Sequence, residues 1–150
     1  MFNIDLNAAF APMNKKLNRL EDVVIADGGK AVTNGAEFLS GVAKSYIKTK
    51  SGELANSIKP DVPVWTGTGV SIEWGSWGVI YARIHEFGGY ITHVVKKALA
   101  FDWEGIHWIR DNVTLKAHPY IRPASDEHGA TAVKIVGDSL ANSLEKEWGA

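Results

Sequence analysis

The string with the most chemical potential is His85-Glu86-Phe87-Gly88-Gly89. A histidine followed by a glutamate opens the zinc-protease pattern, in which a second imidazole four residues on shares the helix face and binds the same metal. Gly89 occupies that place, so the second ligand is missing. His93, His107, His118 and His128 are scattered without ligand spacing. The chain has no cysteine, which removes thiolate metal sites, disulfides and cysteine nucleophiles. Ser45 and Lys48 have the Ser-x-x-Lys spacing of a serine acyl-transfer pair, without its companion motifs. Gly67-Thr68-Gly69 begins like a dinucleotide fingerprint but lacks the third glycine, and reads as a hairpin turn. The residues therefore predict no catalytic site, no metal and no cofactor. The rival reading is a small metal-dependent hydrolase centred on His85 and Glu86.

Composition narrows the class. The chain has 150 residues, 45% apolar and 22% charged, which are globular values and predict one domain over 1–150. Sixteen Lys and Arg oppose seventeen Asp and Glu, split 8 against 8 over residues 1–75 and 8 against 9 over 76–150. No charge asymmetry steers the chain toward nucleic acid or an anionic membrane. Residues 1–5 lack the basic-then-apolar order of a signal peptide, and no apolar run approaches the ~20 residues of a membrane span. A soluble intracellular product is expected.

The positioning elements follow from periodicity. Leu17, Leu20 and Val24 predict an opening helix after Pro12, interrupted by Gly28-Gly29. Val32, Ala36, Leu39, Ala43 and Tyr46 or Ile47 predict a second helix over about 30–48, and Ser51 to Ile58 a short helical turn. The period then becomes two. Val62 and Val64, the 67–69 turn, and Val70, Ile72 and Trp74 predict a half-buried hairpin with Pro63 at an edge. Residues 79–87 read as a strand running into a short helix, closed by the glycine pair. Residues 98–103 and 106–110 flank Glu104-Gly105 as a second hairpin, and 113–117 form another short alternating run. Val133, Val136, Leu140, Leu144 and Trp148 predict a terminal helix. The expected fold is α+β: N-terminal helices, an antiparallel or mixed β-sheet with a protruding hairpin, and a C-terminal helix.

Six tryptophans need packing partners. Trp65, Trp74, Trp77 and Trp148 are assigned to the domain's own packing. Trp103 and Trp108 bracket a hairpin tip, where rings are hard to bury within one small domain. Trp103, Glu104, Ile106, His107 and Trp108 are therefore the expected interface. Stacking on single-stranded nucleic acid needs a basic groove beside the rings, and only Lys96, Lys97, Arg110 and Lys116 are near. A nucleic-acid-binding accessory protein is the weaker alternative.

Four strings in series resemble the phage virion-morphogenesis family of tail-completion and head–tail joining proteins. They are Lys50-Ser51-Gly52-Glu53-Leu54-Ala55-Asn56-Ser57-Ile58, Tyr81 through Gly89, Lys97-Ala98-Leu99-Ala100-Phe101, and Ala117-His118-Pro119-Tyr120-Ile121-Arg122-Pro123-Ala124. Ser51 replaces the family's usual threonine, and His118 stands where arginine is common. The resemblance covers about residues 30–140, leaving 1–29 as a docking arm before a family-like core.

The resemblance implies a structural virion protein of a tailed bacteriophage or prophage, located in the neck or tail and assembled in the host bacterial cytoplasm. It implies a homo-oligomeric ring, commonly hexameric, that joins connector or adaptor proteins to tail-tube or terminator proteins. DNA would pass without sequence-specific binding, and balanced charge suits such a lumen. Glu86, Gly88, Gly89, Tyr120, Arg122 and Pro123 are the expected structural motif. Within it, a bidentate Glu86–Arg122 ion pair would lock the segment before Gly88 against the terminal helix.

Overall fold

The computed structural model describes residues 6–48, 52–67, 69–92, 99–103, 106–110 and 112–148. In chain order its elements are α1 (Leu6–Ser45), α2 (Glu53–Ser57), β1 (Ile58–Pro60), β2 (Val64–Thr66), β3 (Gly69–Ser71) and β4 (Trp74–Ser76). They continue with α3 (Ala82–Phe87), β5 (Gly89–Thr92), β6 (Leu99–Trp103), β7 (Ile106–Arg110), β8 (Asn112–Leu115) and α4 (Ile121–Trp148). All strand pairs among the described residues are antiparallel, and the α+β class holds.

The two expected opening helices are one. α1 runs unbroken for 40 residues and begins upstream of Pro12, through the strong helix formers Ala8 and Ala9. Gly28 and Gly29 do not interrupt it; they let the first hairpin approach. A Cβ on Gly28 would lie 2.9 Å from Cη2 of Trp65, and one on Gly29 3.7 Å from Cβ of Pro63. Tertiary packing thus uses the pair's lack of side chains, outweighing the roughly 1 kcal/mol that glycine costs inside a helix.

α4 lies antiparallel along α1. Tyr46 Oη donates to Glu127 Oε2 at 3.1 Å, Asn34 Nδ2 to Ser139 Oγ at 3.3 Å, and the Lys16 ammonium sits 5.2 Å from the Trp148 ring centroid. The seam is built from small residues: Ala31, Gly35, Ala36, Ala43, Ala124 and Ala132 are buried. A Cβ on Gly35 would stand 2.7 Å from Cγ2 of Val136, one of the stripe expected on α4, of which Val136, Leu140 and Leu144 are half-buried. Val133 and Trp148 face outward, because close helix approach selects alanine and glycine over bulky side chains.

The strands form two ribbons. In the first, β1 pairs with β4 (Ile58 opposite Ser76) and β2 with β3 (Val64 opposite Ser71), with Pro63 between the two ladders, where a missing N–H is tolerated. Trp74 therefore pairs with Pro60 and does not extend the β2–β3 hairpin, whose β2 is exposed throughout. In the second, β5 pairs with β8 (Gly89 opposite Leu115) and β6 with β7 (Leu99 opposite Arg110). Residues 79–87 contain no strand; they turn at 80–81 into α3.

The core gathers where the end of α1, α2, β1, α3 and the start of α4 meet. Ala43, Leu54, Ile58, Ala82, Tyr120 and Ala124 are buried there, with Trp74, Val79 and Ile121 packed against them. Of the tryptophans assigned to internal packing, only Trp74 joins this core. Trp65 lies over Gly28, Trp77 Nε1 donates to the Lys59 carbonyl at 2.9 Å, and Trp148 is 61% exposed.

Candidate functional site

Helix α4 starts without a local cap. The residues before it are Pro119 and Tyr120, neither of which carries the short oxygen that ordinarily accepts a first-turn N–H. Four N–H groups at a helix start have no intrahelical acceptor. Here the Glu86 carboxylate supplies one from α3. Its Oε2 accepts from Tyr120 N at 2.7 Å and Ile121 N at 3.0 Å, and its Oε1 accepts from Arg122 N at 3.0 Å. The fourth position is Pro123, which has no N–H. The start of α4 is thereby satisfied, and a carboxylate at a helix amino terminus also meets the positive end of the helix dipole.

This joins Glu86 to Arg122 otherwise than by the expected ion pair. Arg122 offers its backbone N–H, while its guanidinium lies 5.4 Å from the Phe87 ring centroid. Among the described residues no Glu86–Arg122 side-chain bridge occurs. Glu86 is only 5% exposed, and a buried carboxylate is tolerated when several donors converge on it.

The segment 115–120 is fastened to α3 along its length. His118 N donates to the His85 carbonyl at 2.8 Å, and His85 Nδ1 lies 3.1 Å from the His118 carbonyl. The His85 ring meets Tyr120 edge-on at a centroid distance of 5.7 Å. Gly88 turns the chain at φ 68°, and a Cβ there would stand 2.8 Å from both Ala117 N and Leu115 O. Gly89 has no such conformation; it begins β5 opposite Leu115. Burial pushes the Tyr120 phenol above its ordinary value; the Ser76 hydrogen bond opposes this, while Glu86 and Tyr81 add to it.

An open cleft of about 320 Å³ adjoins this junction, with Arg83, Phe87 and Arg122 on its rim and Tyr120 and Ile121 in its wall. Glu86 lines it with both oxygens accepting N–H bonds from the start of α4. Among the described residues no cluster of three potential metal ligands occurs, and no helix is long and apolar enough to cross a membrane.

The expected interface residues fall on the second ribbon. Trp103 pairs with Ile106, Asp102 with His107 and Phe101 with Trp108. Glu104 lies outside the described residues. Sequence reasoning found the Glu86 and Tyr120 motifs but not the bond between them. The readable signal was an uncapped helix start with proline in its first turn.

A family model described as "Bacteriophage HK97-gp10, putative tail-component" matches residues 11–88. The match starts within α1, inside the stretch read as an arm, and ends at the Gly88 turn, before the second ribbon. No curated protein and no solved structure matches the chain. With 78 of 150 residues matched, the expectation of a phage tail or head–tail joining family holds, and the chain belongs to the HK97-gp10-like family of bacteriophage tail components.

Proposed function

We propose that this chain is a ring-forming, non-catalytic neck subunit, a tail-completion or head–tail joining protein acting as one unit over residues 1–150. The observation that carries the reading is the second ribbon. The strand pairs of this arm, β5–β8 and β6–β7, are each two-stranded and, among the described residues, pair with no third strand. An isolated two-stranded ribbon is marginal in water, and its unpaired edges invite another chain. Trp103, Ile106, His107 and Trp108 sit on the paired strands β6 and β7, where aromatic anchors suit a contact between subunits. Ile80, 96% exposed, adds apolar surface for a neighbour.

A closed ring requires two unlike lateral surfaces, and an arm with a separate receiving face meets that requirement. Its axial partners are a connector or adaptor protein on one side and a tail-tube or terminator protein on the other. The ring assembles in the host cytoplasm, is commonly hexameric, and lets DNA through without sequence-specific binding, as the near-zero net charge permits. The test is light scattering on the purified chain, then particle morphology with a Trp103→Ala/Trp108→Ala variant. Loss of the ring and unjoined heads and tails are expected, with far-UV circular dichroism unchanged. Normal particles from the variant would sink the assignment.

A further inference from the structure

We propose that the amino-terminal half of α1 is a self-association surface that pairs in parallel with the same segment of a second copy of this chain. Leu6, Phe10, Met13, Leu17, Leu20 and Val24 recur at alternating intervals of four and three, the heptad spacing of a two-helix seam, along one unbroken helix. Met13 and Leu17 are each 52% exposed and Val24 41%. The register continues through Asp27, Ala31 and Asn34, and there α4 is the partner. Ala31 is fully buried, and Asn34 donates to Ser139.

The seam outruns its cover. Lys16 already meets Trp148, the last residue of α4, so the ten residues from Leu6 to Lys15 extend roughly 15 Å upstream of that contact. Residues 11 and 13–19 are all exposed. A face that α4 covers further along the same helix is thus left open where α4 ends, and another helix of the same kind completes it.

Charge selects the occupant and its direction. Lys16 and Glu21 flank the stripe five residues apart. In a parallel pair of identical helices, this spacing sets Lys16 against Glu21 of the second copy; an antiparallel pair would oppose lysine with lysine. The inference does not rest on the ring.

The absence of cysteine makes the test direct. In the full chain, Leu17→Cys under mild oxidation should yield roughly tenfold more covalent dimer than Asn18→Cys, which lies roughly 100° around the helix from the seam, because disulfides demand close, aligned Cβ atoms. Adding Lys16→Glu to Leu17→Cys should reduce the crosslink, and adding Glu21→Lys as well should restore it. Equal crosslinking at positions 17 and 18, no crosslink, or no restoration overturns the proposal, as does capture of another virion protein in place of a second copy. Rings without the position-17 crosslink would leave the arm assignment standing and this one refuted. Crosslinked pairs that never form rings would do the reverse.

Discussion

Glu86 accepts the backbone N–H of Tyr120 at 2.7 Å across 34 residues of sequence, so a carboxylate in the last turn of α3 caps the start of α4. The contact ties the end of the family-matched segment to α4, and the second ribbon leaves and returns between these two points.

Removing the acceptor should be costly. Glu86→Ala leaves three backbone donors unpaired, one of them on a buried residue, and should destabilise the chain by about 3 kcal/mol, whereas Glu86→Gln should cost about half as much. Urea unfolding followed by circular dichroism measures both. An Ala variant as stable as the parent would show that the cap is dispensable.

Gly88 and Gly89 should behave unlike one another. Gly88→Ala meets both a left-handed backbone and two atoms of the 115–117 segment at 2.8 Å, and should cost about 2–4 kcal/mol. At Gly89 the nearest atoms to a Cβ are Ile84 side-chain carbons at 3.8 Å, so Gly89→Ala should change the midpoint by less than about 1 kcal/mol. Thermal melts of the pair distinguish the two sites, and similar losses would contradict the geometry.

The helix seam supplies a contrast of sign. Gly35→Ala would press on Val136 and the Ala132 carbonyl and should destabilise by about 1–3 kcal/mol. Gly41 has nothing within 4 Å of a Cβ, so Gly41→Ala should stabilise α1 by about 0.5–1 kcal/mol. Opposite shifts in urea midpoint are the expected result.

Alkaline pH tests the burial of Tyr120. Its folded value is raised above 10.0, so the folded state holds the phenolic proton more tightly than the unfolded chain does. That contribution is fully present below the unfolded value and is lost as pH rises beyond 10 through the folded one. Tyr120→Phe should therefore flatten the loss of stability above pH 10, read by denaturation at stepped pH. An unchanged pH slope would argue that Tyr120 does not control it.

Much of the architecture was legible in the sequence. The α+β order, the terminal helix and the 106–110 hairpin strand follow from local periodicity, and periodicity is a property of neighbouring residues. So is the turn at Gly88, marked by glycine in a motif that also carries the family resemblance. The continuity of α1 was not legible: Gly28-Gly29 breaks a helix considered alone, and only the approach of Trp65 and Pro63 explains why it stands where it does.

The same division holds at the site. Sequence placed Glu86 and Arg122 in paired motifs, and opposite charge pointed to an ion pair. The tertiary structure joined the carboxylate to three backbone N–H groups, because an uncapped helix start needs acceptors more than Arg122 needs a counter-ion. Residue type and spacing determine which elements form. Which face is buried, and which carboxylate finds which donors, depends on contacts between segments far apart in the chain, and there close packing and the pairing of buried polar groups decide.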